Sequence, residues 1–227
     1  MRYRYILLDF DGTILNSKKL ERFALKKTFE DLHLIFSEQA AEIYHRLNRK
    51  YWAQYETGEI TQAQLRIGRT DEFFRICDIS DVNPALFADT YLEYSGVYTP
   101  MFDGAEKLLK SLSGTVKLYM VTNGFTDIQN KKIDSAGIRR WFEGIFIAQE
   151  LGAKKPEHTY FQKVYDSIGS PDKGDMLIVG DSLNADIKGG ADFGIDTCWF
   201  NPEGHKNQSE VRPTFIFDSL DKILLMR

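Results

Sequence analysis

Apolar positions along the 227-residue chain fall into two regimes. Near the start a continuous run, Tyr5-Ile6-Leu7-Leu8, stops at Asp9-Phe10-Asp11-Gly12-Thr13. An unbroken apolar run of this kind is the pattern of a strand buried on both faces of an α/β sheet. From Ser17 to Gly96 the spacing becomes helical and no strand pattern interrupts it. It predicts a helix over 17–34, a second capped by Ser37 and running towards Tyr55, a third over 62–77 capped by Thr61, and a fourth opened by Pro84 and ending near Ser95. From Met101 helical and strand patterns alternate. Helices are expected over 105–112 and 127–135, after Lys155-Pro156 through Phe161 and Tyr165, and through Ile187. Strands are expected over 116–121, 144–148, 175–180, 196–200 and 214–216, with Gly189-Gly190 as a turn, 201–212 as a loop and a helix at the end.

Alternating strands and helices imply right-handed crossovers and a parallel sheet. The first strand lies some 80 residues ahead of the second, with helices alone between them. The expectation is a Rossmann-like doubly wound α/β core, residues 1–16 and 97–227, carrying an inserted all-helical cap, residues 17–96.

Composition narrows this little. A net charge of −4 and the absence of a basic tract argue against a dedicated nucleic-acid surface. No apolar stretch reaches the ~18 residues of a membrane span, and the N-terminus lacks a signal-peptide pattern. Cys77 and Cys198 lie far apart without metal-ligand spacing, which reads as two reduced thiols of a cytoplasmic protein. A monomer and a dimer are both compatible with the sequence.

The candidate chemistry sits where strands end. Residues two apart on a strand share a side, so Asp9 and Asp11 can face one site. Taken alone, Asp9-Phe10-Asp11-Gly12 fits a hairpin turn equally well. The later strands also end in polar residues: Thr122-Asn123-Gly124, then Lys155-Pro156, then Asp181. Each has an ordinary explanation as a turn, a surface lysine or a helix cap. Together, on one edge of a parallel sheet, they form a coherent set. Asp9 and Asp181 are hard oxygen ligands suited to Mg²⁺. Thr122 supplies a hydroxyl, and the N–H groups of Asn123 and Gly124 lead into a helix N-terminus that favours phosphate. Lys155 adds a positive point charge.

The order Asp9-Phe10-Asp11-Gly12-Thr13, Thr122-Asn123-Gly124, Lys155-Pro156 and Gly180-Asp181-Ser182-Leu183-Asn184-Ala185-Asp186 resembles the four motifs of the haloacid-dehalogenase-superfamily phosphatases. The last motif carries one residue more before its second Asp than the shortest family form, and the helical insertion matches a cap between the first two motifs. The resemblance covers nearly the whole chain. Residues 51–61, 180–190 and 196–202 are similar to the pyrimidine 5′-nucleotidase subgroup of bacteria, many members of which carry Asp where this chain has Gly12.

What the resemblance implies is a Mg²⁺-dependent phosphomonoester hydrolase acting on a small molecule, a nucleoside 5′-monophosphate such as dUMP, dTMP or UMP. Asp9 is then the nucleophile and Asp11 the acid–base partner. The metal falls to the Asp9 carboxylate, the Asp11 backbone carbonyl and Asp181. Thr122, Asn123 and Lys155 hold the phosphoryl oxygens, and Asp186 orients Lys155 or a metal-bound water. A sugar-phosphate phosphatase or phosphomutase shares all these motifs and differs only in the cap. A 2-haloacid dehalogenase needs the nucleophile but not the second Asp, so Asp11 argues against it. Substrate choice is expected from the cap. There Trp52 and Tyr55 can stack on a base or pack between helices, and Arg66 and Arg69 can meet a base or sugar or lie in solvent. The four histidines follow no ligand spacing.

Overall fold

In the computed structural model, which describes residues 2–224, β1 (Tyr5–Asp9) leads into four helices, α1 (Ser17–Asp31), α2 (Glu38–Glu56), α3 (Gln62–Cys77) and α4 (Pro84–Ser95). Then come α5 (Ala105–Leu112), β2 (Lys117–Thr122), α6 (Thr126–Ser135), β3 (Gly144–Ile147), α7 (Ala148–Leu151) and α8 (His158–Ser167). The chain continues through β4 (Met176–Gly180), a π-helical turn at Leu183–Lys188, α9 (Gly189–Phe193), β5 (Asp196–Phe200), β6 (Phe215–Phe217) and α10 (Leu220–Ile223). It divides into two units. One takes in the residues up to Asn16 and from Pro100 onward, and the other is Ser17–Thr99.

The helical unit begins each later helix on a side-chain cap. Ser37 accepts from the Ala40 N–H, Thr61 and Gln64 form a reciprocal capping box, and Asn83 accepts from the Ala85 N–H ahead of α4. Its interior is aromatic, with Tyr44 edge-on to Phe73 at 5.2 Å and Phe29 edge-on to Phe87 at 5.8 Å. A polar chain threads this interior. Glu21 accepts from Asn48 at 2.6 Å and pairs with His45 at 2.8 Å, and the Asn48 carbonyl accepts from Arg69. The Glu21 carboxylate holds the His45 ring above its ordinary pKa, against the opposing effect of burial. Arg69, which the sequence allowed as a solvated side chain, is 2 % exposed and lies over the rings of Tyr44 and Tyr91. Its partners come from other helices, so no local pattern announces its burial. Arg66 instead makes an exposed ion pair with Asp89, and the half-buried Trp52 and Tyr55 meet ring edge to ring face at 5.8 Å.

The α/β unit is built on one six-stranded sheet in the order β3-β2-β1-β4-β5-β6, every neighbour parallel. Ile6, Leu7 and Leu8 are wholly buried in the middle of it, as their unbroken apolar run requires. The strand order reverses direction between β1 and β4, and an open sheet of this kind leaves its crevice beyond the strands' carboxyl ends at that point. Chain departure and return run side by side in this unit: the Asn16 N–H donates to Pro100 O at 2.7 Å and the Phe102 N–H to Ile14 O at 2.9 Å. Cys198 on β5 is buried and unpaired, and burial pushes its thiol up to about 12, which leaves it inert. Among the described residues no helix is long and apolar enough to cross a membrane.

Two local expectations change. Gly189-Gly190 does not turn but opens α9, because the missing side chains let the helix lie against the sheet. A Cβ on Gly190 would sit 2.4 Å from the Ile178 side chain, and one on Gly189 would sit 2.5 Å from the Phe161 ring. The short α7 also follows β3 directly, where no period long enough to read exists. The close approach of α9 is testable: Gly190→Ala is expected to lower unfolding free energy by about 1–3 kcal/mol in urea titration, the usual cost of overpacking a core. An unchanged midpoint would show that α9 moves off the sheet without cost.

Candidate active site

The turn after β1 is wound tightly. Phe10 O accepts from the N–H groups of both Ile14 and Leu15, and the Gly12 N–H donates to Leu15 O. The strand therefore ends at Asp9, and Asp11 lies in the turn rather than two residues further along a strand. Glycine suits this path: its φ is +90°, which side chains rarely adopt, and an added Cβ would stand 2.3 Å from an Asp181 carboxylate oxygen unless that side chain moved.

Asp9 is 6 % exposed and both its oxygens are held. Oδ1 accepts from Lys155 Nζ at 2.7 Å, and Oδ2 accepts from the fully buried Thr13 hydroxyl at 3.0 Å. Lys155 is 1 % exposed, and its ammonium also donates to Asp186 Oδ1 at 2.6 Å and to Val121 O at 3.0 Å. All three N–H bonds of that ammonium therefore have acceptors. Burial alone lowers a lysine's pKa, but Asp186 and Asp9 outweigh it and hold Lys155 well above the ordinary lysine range. Burial pushes the Asp9 carboxyl up to about 7, with Lys155 pulling against it and Asp186 and Asp11 adding repulsion.

Asp186 reaches Lys155 from the π-helical turn. Ile187 N–H bonds back five residues to Ser182 O at 3.1 Å, and this wide turn takes up the extra residue of the last motif. The Ser182 N–H donates to Asp186 Oδ2 at 3.1 Å, and Asp186 packs on Gly180, where a Cβ would lie 2.1 Å away. Asp181 is exposed, and the Trp199 indole donates to its backbone carbonyl at 2.9 Å.

At the end of β2, Thr122 Oγ1 accepts from the Gly124 N–H at 3.2 Å and from Gln129 Nε2 at 2.5 Å. With both lone pairs taken, its own hydroxyl proton is left to donate to an anion. The Asn123 side chain does not face a ligand. Its amide bonds both the N–H and the C=O of Lys155, each at 2.9 Å, and so splices the end of β2 to the Lys155 turn. Only the Asn123 backbone N–H remains for a phosphoryl oxygen, and the Gly124 N–H is engaged by Thr122. The geometry also supplies two residues that strand-end patterns do not reveal, Gln129 and Lys132 on α6. Both donate to Asp11: Lys132 Nζ to Oδ1 at 2.7 Å and Gln129 Nε2 to Oδ2 at 2.5 Å. Their spacing on the helix that follows Thr122-Asn123-Gly124 was the one signal available.

The donor set suits a divalent cation. Oxygens of Asp9, Asp181 and Asp186 lie within 4.8 Å of one another. Three carboxylates against the single ammonium of Lys155 leave two negative charges, and all ligand atoms are hard oxygens. A phosphoryl group beside such an ion would meet the Thr122 hydroxyl and the Asn123 N–H, with the charge of the engaged Lys155 ammonium behind Asp9.

Comparison with known proteins bears on this arrangement. A family model for haloacid dehalogenase-like hydrolases matches residues 3–194. The HAD-hydrolase YfnB of Bacillus subtilis is 33 % identical over 98 % of this chain and 94 % of its own. Its magnesium-bound crystal structure superposes with a TM-score of 0.94, covering 100 % of this chain and 99 % of that one at 32 % identity. Two proteins named pyrimidine 5′-nucleotidase are also similar. YjjG of Escherichia coli is 28 % identical over 98 % of this chain and 97 % of its own, and PynA of Streptococcus pneumoniae is 30 % identical over 99 % and 98 %.

Two outcomes follow from the site's electrostatics and packing. A cation must displace the proton from Asp9 below about pH 7, so apparent Mg²⁺ affinity is expected to fall about tenfold per pH unit there and to level off above it. Calorimetric Mg²⁺ titration between about pH 5.5 and 8.5 measures this, and an affinity independent of pH would contradict it. Gly12→Ala must push the Asp181 carboxylate aside and strain the turn, so the Mg²⁺ concentration for half-maximal binding is expected to rise about tenfold.

Proposed function

Since the chain belongs to the haloacid dehalogenase-like hydrolase family, we propose that it is a Mg²⁺-dependent phosphatase of nucleoside 5′-monophosphates, acting through an aspartyl-phosphate on Asp9. The observation that carries the reading is the meeting of Asp9, Asp181, Asp186, Lys155 and Thr122 beyond the adjacent strands β1, β2 and β4. The nucleotide as substrate is supported by full-length similarity to YjjG and PynA, whose names carry pyrimidine 5′-nucleotidase activity. The reading includes a cytoplasmic enzyme working on a free small molecule.

Asp9 is the nucleophile. Thr13 and Lys155 fix its two oxygens, so the attacking lone pair is aimed before substrate arrives. The Asp9 oxygen forms a bond to phosphorus while the bond to the nucleoside oxygen breaks, and Asp11 gives that oxygen a proton. Asp11, now a carboxylate, takes a proton from the water that attacks phosphorus and frees Asp9. The Thr122 hydroxyl and the Asn123 N–H hold non-bridging oxygens as their charge spreads, and the Lys155 ammonium, whose own protons go to Asp9, Asp186 and Val121, acts on them through its charge. The Asp9 and Asp181 carboxylates and the Asp11 carbonyl would hold Mg²⁺, which would supply the charge neutralisation that lets a phosphate dianion approach a carboxylate nucleophile. Asp186 fixes the direction of Lys155.

The test is phosphate release from a panel containing UMP, dUMP, dTMP and several sugar phosphates, with Mg²⁺ and with a chelator. Turnover is expected to require Mg²⁺, to favour the pyrimidine nucleotides and to fall by about 10³-fold or more in Asp9→Ala. Faster turnover of the sugar phosphates would defeat the nucleotide reading, and undiminished activity in Asp9→Ala would defeat the mechanism.

A further inference from the structure

The turn that carries Asp11 is short, and nothing in the β1 strand fixes where its carboxylate points. What fixes it is α6. Gln129 and Lys132 stand three residues apart on one face of that helix, and each takes a different oxygen of Asp11, at 2.5 and 2.7 Å. Gln129 is fully buried and Lys132 is 9 % exposed, unlike most lysines, which keep the ammonium in water. Desolvating that ammonium is unfavourable unless an anion meets it, and the anion that meets it here is Asp11. The same Gln129 amide nitrogen donates to Thr122 Oγ1, so one helical turn ties the Asp11 carboxylate to the end of β2.

We propose that Lys132 is a positioning residue for Asp11. With Gln129 beside it, it clamps the carboxylate on the line along which protons pass to the leaving oxygen and from the attacking water. Neither side chain takes part in a covalent step, and their effect runs wholly through Asp11. The inference rests on the reading of Asp11 as the acid–base group. It assigns a role to a helix that carries none of the strand-end motifs.

The leaving group separates this role from a structural one. A nucleoside 5′-alkoxide is strongly basic and needs the Asp11 proton as the P–O bond breaks. A p-nitrophenolate holds its charge by delocalisation and leaves without one. The experiment measures kcat/KM for UMP and for p-nitrophenyl phosphate in wild type, Lys132→Met, Lys132→Arg and Asp11→Asn, with denaturation midpoints for each. Lys132→Met is expected to lose about tenfold to a hundredfold on UMP and less than about threefold on p-nitrophenyl phosphate. Lys132→Arg, which keeps the charge, is expected to recover most of the loss. Equal losses on both substrates, or no loss on UMP, overturn the inference. If Asp11→Asn separates the two substrates and Lys132→Met does not, the positioning role alone fails. If Asp11→Asn does not separate them, the acid–base reading itself fails. Should Lys132→Met not fold, Lys132→Gln is read by the same ratio.

Discussion

A buried lysine between two buried carboxylates is the interaction on which the site depends. Lys155, Asp9 and Asp186 are all nearly without solvent contact. Removing charges from water costs several kcal/mol each even after relaxation, and attraction repays this only when geometry is good and the remaining hydrogen bonds are filled. Here they are filled: the ammonium has three acceptors, Asp9 has the Thr13 hydroxyl and Asp186 has the Ser182 N–H. The three groups come from the end of β1, the turn after α7 and the turn after β4. No one of these segments can shift without leaving a charge buried and unpaired. The triad therefore fixes the positions of the strand ends, and the excess negative charge it leaves is what calls for a cation.

The sheet makes such a triad possible. In a parallel sheet every strand ends on the same side, and β1 has β2 on one flank and β4 on the other. Register then brings neighbours together: Asp9 pairs with Val121, whose carbonyl takes one Lys155 proton, and Leu8 pairs with Val179, one residue before Gly180. The absence of a side chain at Gly180 and Gly12 lets Asp186 and Asp181 approach this point closely. Cross-links then hold the loops in place, with the Asn123 amide bonding the Lys155 backbone and the Trp199 indole bonding Asp181.

Features fixed by local pattern were legible in the sequence, and features fixed by long-range pairing were not. The buried run ending at Asp9 and the caps at Ser37 and Thr61 are local, and a pattern read over a few residues finds them. Gly189-Gly190 shows the limit, since the same dipeptide serves a turn or a helix pressed on a sheet, and only the presence of Ile178 and Phe161 decides. Arg69 shows it again, because its burial depends on Asn48, Tyr44 and Tyr91 on two other helices. Asn123 belongs to a motif that suggests a ligand, yet its side chain is spent on a backbone 32 residues away. Gln129 and Lys132 look like the ordinary polar face of a helix until Asp11, more than a hundred residues earlier, is placed beside them.

That last pairing explains how two carboxylates so close in sequence can do different work. Had β1 continued through Asp11, both acids would face the same surroundings and compete for the same charges. The tight turn from Phe10 to Leu15 prevents this, sending Asp9 inward and Asp11 toward α6. Each acid then has its own ammonium: Lys155 for Asp9 in a nearly dry setting, and Lys132 for Asp11, whose side chain stays 30 % exposed. A nucleophile benefits from confinement, because a carboxylate that cannot rotate or bind water stays aimed at phosphorus. An acid–base group benefits from contact with solvent, because it must exchange its proton within each cycle. Two lysines and one turn are enough to separate these demands over an interval of two residues.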